Sequence, residues 1–293
     1  MVNRSWLFVP GDSERKLAKA ASTGADAIIV DLEDAVAAEA RPLARGLTAE
    51  WLAAHRPQAP QRRMERWVRI NPLDTPFWRD DIVAVMRGAP DGIVLPKAAG
   101  PEQLRMLAAE IYELEQHSGV ASGSTRIIPL VSETAAAALT IGEYVAASLP
   151  RLAGLMWGAE DLSSALGASR KYGEDGNWTD TFRMVRATVL LTAHARGVAP
   201  IDTLHADFRD EAGLTRMARA SCADGFSGML AIHPGQVPII NAAFTPSEAE
   251  LAGARAIVAA FAANPGAGVV AIDGHMLDQP HLQLARRMLG EKL

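Results

Sequence analysis

The polar residues that follow short apolar runs are the feature of this chain that most limits its fold. A hydrophobic strand that ends in one or two polar groups is typical of a (β/α)8 barrel, where chemistry collects at the carboxyl ends of the strands. Residues far apart in sequence are therefore expected at one common mouth. The run ends are Asp31, Glu33 and Asp34; Arg69 and Asn71; Lys97; Glu133; Glu160 and Asp161; Asp202; and His233.

Eight candidate strands support this fold class. They are predicted to begin near residues 5, 27, 67, 92, 126, 154, 198 and 228, a spacing that leaves room for crossover helices. Their apolar runs are nearly continuous, as expected for strands buried on both faces. A doubly wound open sheet shares that pattern, but the number of units and the lack of a glycine-rich fingerprint after the first strand favour the barrel. The sequence predicts an α/β protein: a TIM barrel over residues 1–244 and a C-terminal helical extension over 245–293.

The extension has clear helix signals of its own. Thr245–Glu248 has the pattern of a capping box with proline at the first helical position, which predicts a helix to about Ala262. A short apolar run, Val269–Ile272, and a last helix, His281–Leu289, follow. A closed barrel needs none of these elements. We therefore expect the extension to pack across the barrel or on a neighbouring subunit.

Composition excludes several classes of protein. The net charge is −5 without a basic block, which argues against a nucleic-acid surface. Cys222 is the single cysteine, so no internal disulfide is possible, and a reducing compartment is expected. We expect Cys222 to be buried filler near the end of a helix. No signal-peptide pattern and no apolar run near the ~18 residues of a membrane span is found, so a cytoplasmic protein without a membrane partner is expected.

Glu133 and Asp161 form the most informative pair of strand ends. They follow the fifth and sixth predicted strands, so they are expected to be neighbours at the mouth. Mg²⁺ prefers one or two protein carboxylates and keeps its other positions for water and substrate oxygens. The pair therefore predicts a magnesium site, although pairing with arginine or helix capping would explain each carboxylate separately. The polar loop Gly167–Thr179 follows Asp161 and is a candidate active-site loop.

The acids Asp31, Glu33 and Asp34 lie close together after the second strand and need a compensating charge. They could orient metal-bound water or a general base, and Asp34 could instead cap a helix. Arg69 ends the third strand, and its planar fork suits a substrate carboxylate or a developing enolate oxygen. A structural salt bridge to Glu33 or Asp34 is the alternative for Arg69.

Three further residues leave alternatives open. Lys97 is the strand-end lysine, and it raises the possibility of a Schiff-base aldolase that needs no metal. His233 could be an acid or base, or a hydrogen-bonded structural histidine. Asp278 lies in the extension beside Pro280 and is a candidate base delivered to the mouth.

Several motifs, in order along nearly the whole chain, resemble the citrate lyase beta subunit-like branch of the HpcH/HpaI aldolase superfamily, which includes malyl-CoA and citramalyl-CoA lyases. Each motif alone is weak, and the set is specific. One position departs from the family pattern, because relatives often carry lysine where Met229 stands. The matching stretches are Arg4–Gly11 (RSWLFVPG), Asp31–Ala35 (DLEDA), Val68–Asn71 (VRIN), Leu95–Lys97 (LPK), Gly158–Leu162 (GAEDL), Ala231–Pro234 (AIHP) and Asp273–Asp278 (DGHMLD).

The resemblance implies a TIM-barrel lyase that holds one Mg²⁺ through Glu133 and Asp161. It implies that Arg69 contacts the substrate, and that Asp278 acts as the acid or base, lent by the adjacent subunit of a homo-oligomer, often a trimer or hexamer. The implied reaction cleaves a 3-hydroxyacyl-CoA of the malyl-, citramalyl- or citryl-CoA type to acetyl-CoA and a 2-oxo acid. Two alternatives stay open: a CoA-independent, metal-dependent pyruvate-type aldolase, and a citrate lyase complex subunit acting on an acyl-carrier thioester.

If the lysine that Met229 replaces helps to hold CoA phosphates in relatives, CoA recognition by this protein differs or uses other cations. Arg15, Lys16 and Arg41 are candidates, and Lys97 is a further candidate for binding substrate. Asp31, Glu33 and Asp34 would orient metal-bound water.

Overall fold

The structure is a computed structural model that describes residues 3–56 and 64–291. In these ranges eight parallel strands alternate with helices in one barrel-like sheet. The strands are β1 (Ser5–Pro10), β2 (Ala27–Asp31), β3 (Glu65–Arg69), β4 (Gly92–Leu95), β5 (Arg126–Pro129), β6 (Gly154–Met156), β7 (Ala199–Asp202) and β8 (Gly228–Ala231). The helices are α1 (Glu14–Ala20), α2 (Arg41–Ala54), α3 (Trp78–Met86), α4 (Pro101–Ser118), α5 (Ala135–Thr140), α6 (Ala159–Leu166), α7 (Asp180–Arg196), α8 (Glu211–Asp224), α9 (Gln236–Ala243), α10 (Glu248–Ala263) and α11 (Gln279–Met288).

The sheet closes on itself between β5 and β6. Hydrogen-bonded ladders join the strands in the order β5-β4-β3-β2-β1-β8-β7-β6. Two isolated parallel bridges, Ile127 with Leu152 and Leu130 with Met156, connect the two ends of that order. The predicted TIM barrel is confirmed, and its closing seam is the least regular part of the strand ring.

Alternation along the strands separates two apolar layers. One layer takes residues from all eight described barrel strands and includes Trp6, Ile29 and Trp67, so it fills the barrel interior. Trp6 and Trp67 meet edge to face with ring centroids 5.4 Å apart. A Cβ at Gly92 would lie 2.1 Å from the Trp67 ring, so glycine makes room for the indole. The other layer, between sheet and helices, takes the alternate residues such as Ile28.

The strand starts agree closely with the sequence prediction. Six of the eight strands begin at the predicted residue, while β3 begins at Glu65 instead of residue 67 and β7 at Ala199 instead of residue 198. The prediction for Cys222 was wrong, because its side chain is exposed. The buried face of α8 carries Leu214, Ala218 and Ser221, and Cys222 lies one position beyond that stripe.

The chain divides into two compact units, Met1–Phe244 and Thr245–Leu293. The second unit contains α10, α11 and an antiparallel hairpin of β9 (Val269–Ile272) and β10 (His275–Asp278). The two predicted helices are present, and the apolar run predicted at Val269–Ile272 is β9, whereas its partner strand β10 was not predicted. How the second unit packs on the barrel or on another subunit stays a prediction.

The first helix of the extension starts later than its sequence pattern suggested. Its N-cap is Ser247, whose hydroxyl accepts from the Glu250 amide, and the Glu250 side chain completes the capping box. The predicted box over Thr245–Glu248 was therefore two residues early. None of the helices in the described ranges combines the length and the apolarity needed to cross a bilayer.

Candidate active site

Arg69 and Asp31 form a buried charged pair at the carboxyl ends of β3 and β2. Their Cα atoms are register partners, and each lies two positions after an interior residue, Trp67 or Ile29. Arg69 donates from Nε to Asp31 Oδ1 at 2.8 Å and from Nη2 to Oδ2 at 2.6 Å. The guanidinium also lies 4.8 Å from the Phe8 ring centroid. Strand register thus aims both side chains into the mouth and fixes their bidentate geometry.

Glu33 connects this pair to Lys97. Its carboxylate is buried, with Oε2 2.9 Å from Arg69 Nη1 and Oε1 in contact with Lys97 Nζ. Burial raises the pKa of Glu33, and the charges of Arg69 and Lys97 oppose that shift. Asp34 is exposed and lies farther away, 3.7 Å from Arg69 and 3.6 Å from Lys97. The three predicted acids are therefore brought together around two cations, and they are not equivalent.

The charge on Lys97 argues against a Schiff-base mechanism. Burial lowers the pKa of Lys97. The hydrogen bond and charge of Glu33 raise the pKa by more than burial lowers it, so the net pKa lies above the usual value. A nucleophilic lysine needs the neutral amine, which a raised pKa disfavours. Arg69 also keeps its positive charge. Burial lowers its pKa, but the charges of Asp31 and Glu33 raise the pKa by more, so the net pKa lies above the usual value.

Glu133 is buried, whereas its position after a predicted strand suggested a carboxylate at a solvent-accessible mouth. Its side chain is 3% exposed, and Oε2 accepts a 2.5 Å hydrogen bond from the backbone amide of Lys97. Burial, then the charge of Asp161, raises the pKa of Glu133 to about 8, although the charge of Arg69 opposes the shift. A buried carboxyl in this state needs either a proton or a cation close by.

Asp161 supplies the second carboxylate from the first turn of α6, after β6. It is partly exposed, and its charge acts directly on Glu133. Gly158 comes just before α6, and a Cβ there would lie 3.1 Å from Glu133 Cγ and 3.2 Å from Oε1. Glycine thus leaves the Glu133 carboxylate its space, a requirement that the sequence did not reveal.

Glu133 and Asp161 are the residues that could hold a hard cation. Among the described residues no cluster of three or more His, Cys, Asp and Glu side chains could bind a metal. A site with two carboxylates, one buried and one partly exposed, fits Mg²⁺, which takes its remaining oxygen ligands from water and substrate. A metal with several protein nitrogen or sulfur ligands does not fit this donor set.

Two of the polar residues at strand ends, Asp202 and His233, make structural contacts outside the carboxylate site. Asp202 is the last residue of β7 and is fully buried. Its carboxylate accepts from Trp157 Nε1 at 2.6 Å, from Arg186 Nε at 2.9 Å and from Ser221 Oγ at 2.5 Å. These bonds use both carboxylate oxygens. Asp202 therefore holds β7 to the helices around it.

His233 is exposed after β8. Its ring stacks on Phe208, with centroids 4.9 Å apart and planes 23° from parallel, and Nδ1 accepts from the Gly235 amide at 3.1 Å. These contacts favour the structural alternative for His233.

Asp278 belongs to the second compact unit. Its side chain caps α11 and lies 2.6 Å from His281 Nδ1. The structure therefore gives Asp278 a local structural role, and its role as a base stays a prediction.

The candidate CoA-binding cations lie on early helices. Arg15 and Lys16 are exposed on α1, and the Arg41 guanidinium lies 4.1 Å from the Phe77 ring centroid. Met229 is fully buried in the layer between sheet and helices, so its side chain does not face the mouth. The CoA-binding roles of these residues remain predictions.

The loop Gly167–Thr179 has structure of its own. Tyr172 and Trp178 form an antiparallel bridge, and Trp178 packs edge to face on Trp157 with centroids 5.2 Å apart. A cavity of about 760 Å³ lies between this loop, α7 and α8, and none of the site carboxylates lines it. The loop is thus anchored beside the mouth by aromatic packing.

The fold and the mouth define a TIM-barrel enzyme with an acidic pair and an arginine at the carboxyl ends of its strands. Residues 4–234 match the HpcH/HpaI aldolase/citrate lyase family. The chain belongs to this family and is a carbon–carbon lyase by class.

Similar proteins span almost the full chain. A citrate lyase subunit beta-like protein of Mycobacterium tuberculosis is 39% identical, over 97% of this chain and 93% of its own. A (3S)-malyl-CoA thioesterase of Cereibacter sphaeroides is 36% identical over 98% and 94% of the two chains. An L-malyl-CoA/beta-methylmalyl-CoA lyase of Rhodobacter capsulatus is 33% identical over 94% and 90%. The crystal structure of CitE from M. tuberculosis with magnesium, acetoacetate and coenzyme A has a TM-score of 0.80 and 37% identity, and covers 99% of this chain and 97% of that one.

Proposed function

We propose that this protein is a Mg²⁺-dependent lyase that cleaves a 3-hydroxyacyl-CoA of the malyl-, citramalyl- or citryl-CoA type to acetyl-CoA and a 2-oxo acid. The observation that carries the proposal is the pairing of buried Glu133 with Asp161 beside Arg69. The relative crystallised with magnesium, acetoacetate and coenzyme A supports both the metal and the binding of CoA. The similarity to a malyl-CoA lyase supports the reaction class.

Mg²⁺, held by Glu133 and Asp161, would act as a Lewis acid and as a template for the hydroxyl and carboxylate oxygens that become the 2-oxo acid. Arg69 has five N–H donors, of which two donate to Asp31. Its Nη1 lies 2.9 Å from Glu33 Oε2 as an ion pair without hydrogen-bond geometry. The remaining N–H groups can stabilise negative charge on a substrate oxygen. In a buried site such a contact contributes more than it would in water.

The proposed reaction is a retro-Claisen-type cleavage of the bond between C2 and C3 of the 3-hydroxyacyl-CoA. The 3-hydroxyl gives its proton to water, its oxygen becomes the carbonyl oxygen of the 2-oxo acid, and the bond between C2 and C3 breaks. The electron pair of that bond passes to C2 as an acetyl-CoA enolate. Asp278 then returns a proton to that carbon, and in the reverse direction it removes a methyl proton. Following the family resemblance, we propose a homo-oligomer in which Asp278 completes the site of an adjacent subunit.

A product assay tests the proposal. The full-length protein is incubated with malyl-, citramalyl- and citryl-CoA, with Mg²⁺ or with EDTA, and 2-oxo acid, acetyl-CoA and free CoA thiol are each quantified. A lyase gives 2-oxo acid and acetyl-CoA in equal amounts. Free thiol with an intact hydroxy acid would instead indicate hydrolysis, as the name of the thioesterase relatives indicates for those proteins. Cleavage of the free hydroxy acids would point to a CoA-independent aldolase.

Substitutions link the assay to the site. Glu133→Gln and Asp161→Asn are expected to lose most of the Mg²⁺-dependent turnover. Glu160→Gln is the matched control, because Glu160 is adjacent to Asp161 but pairs with Lys171. Full turnover in EDTA, or wild-type turnover by either site variant, would remove the metal from the proposal.

A further inference from the structure

Lys97 has a left-handed backbone, which is unusual for a residue with a side chain. Its φ is +50°, and only two other non-glycine residues of the described ranges, Ala89 and Asp273, share a positive φ. L-residues adopt this region at a cost, because Cβ crowds the following carbonyl. A cost that persists in a folded protein must be offset by contacts around it.

Two contacts of Lys97 point in different directions and reach two different strand ends. Its backbone amide donates to Glu133 Oε2 at 2.5 Å, after β5. Its ammonium contacts Glu33 Oε1, after β2. Glu33 is itself fixed by Arg69 at 2.9 Å, so the ammonium is tied to a rigid charged group.

The backbone conformation decides where the amide points. Rotating φ at residue 97 from the left-handed region to an extended value reorients the peptide plane relative to the side chain. The amide could then no longer reach Glu133 while the ammonium stays on Glu33. The neighbouring residue is pinned as well, because the Ala98 amide donates to the Leu130 carbonyl at 3.2 Å.

We propose that Lys97 is a positioning residue whose ammonium, anchored on Glu33, keeps its own backbone left-handed so that its amide orients the Glu133 carboxylate. This inference rests on the proposed function in one respect: the orientation matters because Glu133 is a proposed metal ligand. It assigns Lys97 no contact with the reacting atoms. Lys97 would then act on the metal site through its peptide group.

A glycine substitution tests the ammonium and the backbone conformation of residue 97 separately. Lys97→Gly removes the ammonium, yet glycine adopts a positive φ without strain and keeps the amide on Glu133. Lys97→Met removes the ammonium and retains a side chain that disfavours this φ. The difference in backbone preference predicts that Mg²⁺ binds about five- to thirtyfold more weakly to Lys97→Met than to Lys97→Gly. Lys97→Gly should remain within about fivefold of the wild type, the entropic cost of glycine.

The measurement is Mg²⁺ affinity by titration calorimetry on the full-length protein, with melting temperatures to show that each variant is folded. Lys19→Met, on the exposed face of α1, is the control for loss of a lysine charge. Glu33→Ala gives an independent arm, since it removes the oxygen that anchors the ammonium and leaves residue 97 unchanged. It should weaken Mg²⁺ binding, and adding Lys97→Gly to it should restore affinity.

Equal affinities for Lys97→Gly and Lys97→Met, or no rescue in the double variant, would overturn the inference. If the wild type binds no Mg²⁺, the proposed function fails, and crystal structures of the variants still decide the role of Lys97. A positive φ with the amide within hydrogen-bond distance of Glu133 in the wild type and Lys97→Gly, but not in Lys97→Met, supports it. The same geometry in all three proteins refutes it.

Discussion

Arg69 and Asp31 face each other across two adjacent strands and share two hydrogen bonds of 2.8 and 2.6 Å. Because the Asp31 side chain is only 2% exposed, water cannot replace a lost partner. Lysine at position 69 would keep a positive charge but could not serve both Asp31 oxygens and Glu33 together.

Arg69→Lys is therefore expected to destabilise the fold by about 1–3 kcal/mol, because the buried carboxylate loses charge-assisted hydrogen bonds and keeps those from the Glu33 and Ala35 amides. It should also lower kcat at least tenfold. Urea unfolding and steady-state kinetics measure the two effects. Arg79→Lys is the control, since Arg79 is 64% exposed and its pair with Glu110 should contribute less than about 1 kcal/mol. Equal effects of the two substitutions would show that the geometry at Arg69 is unimportant.

Gly158→Ala is expected to weaken Mg²⁺ binding without unfolding the protein. The added Cβ would lie 3.1 Å from Glu133 Cγ, so the glutamate side chain must shift. Calorimetric titration with Mg²⁺ measures the effect, which we expect to be about tenfold or less for a shift of a few tenths of an ångström. The control is Gly142→Ala, where an added Cβ meets no atom within 4 Å. Unchanged affinity in Gly158→Ala would place the metal elsewhere.

Asp278→Asn is expected to abolish exchange of the acetyl-CoA methyl protons with deuterium while leaving α11 intact. Asparagine is as good an N-cap as aspartate, so the substitution removes the base but not the helix cap. Mass spectrometry of acetyl-CoA recovered from D₂O gives the exchange rate. Asp273→Asn controls for charge loss in the same hairpin. If Asp278→Asn exchanges at the wild-type rate, another group is the base.

Glu115 is expected to make a pH-dependent contribution to stability. It is fully buried, and it accepts two hydrogen bonds from Arg151 at 2.7 and 2.8 Å and others from the Gly123 and Thr125 amides. Burial alone would raise its pKa, but these hydrogen bonds and the Arg151 charge lower the pKa to about 2. A lowered folded-state pKa stabilises the fold above the unfolded value of about 4.5, and this contribution is lost as pH falls toward 2.

Glu115→Gln should therefore cost about 2–4 kcal/mol at pH 7 and progressively less below pH 4.5. Urea unfolding across that pH range tests the expectation. Glu102→Gln is the control, because its side chain is 81% exposed and its stability difference should stay small at every pH. A constant difference between Glu115→Gln and the wild type from pH 7 to pH 3 would contradict the assignment.

The barrel could be predicted because its signal is repeated and local. Most buried strands contain a short continuous apolar run, and β4 and β5 begin at the predicted residues 92 and 126. The start of β3 was predicted late because that strand opens with Glu65 and Arg66. The hairpin of the extension was missed because its second strand, His275–Asp278, is mostly exposed and has no apolar periodicity. Asp273–Gly274 between the strands is the type of dipeptide that marks tight hairpins, and it was the available signal.

The sequence predicted which residues lie at the site, but it did not predict their hydrogen-bond partners. Strand ends identified Arg69, Glu133 and Asp161, yet Asp202 has the same sequence context and is consumed by structural hydrogen bonds. Distinguishing them needs the partners of each carboxylate, which come from elements distant in sequence. The amide of Lys97 and the missing Cβ of Gly158 leave no mark in the pattern of side chains.

The closing seam of the barrel lies between the two strands that supply the proposed metal ligands. Glu133 follows β5 and Asp161 follows β6, and two isolated bridges join these strands. A cation bound by both carboxylates would also hold β5 and β6 together. Metal binding and closure of the strand ring would then be thermodynamically linked. Linkage is reciprocal: whatever loosens the bridges between Ile127 and Leu152 or between Leu130 and Met156 must also loosen the hold on the cation. The least regular join of the strand ring and the proposed catalytic metal would then stabilise each other.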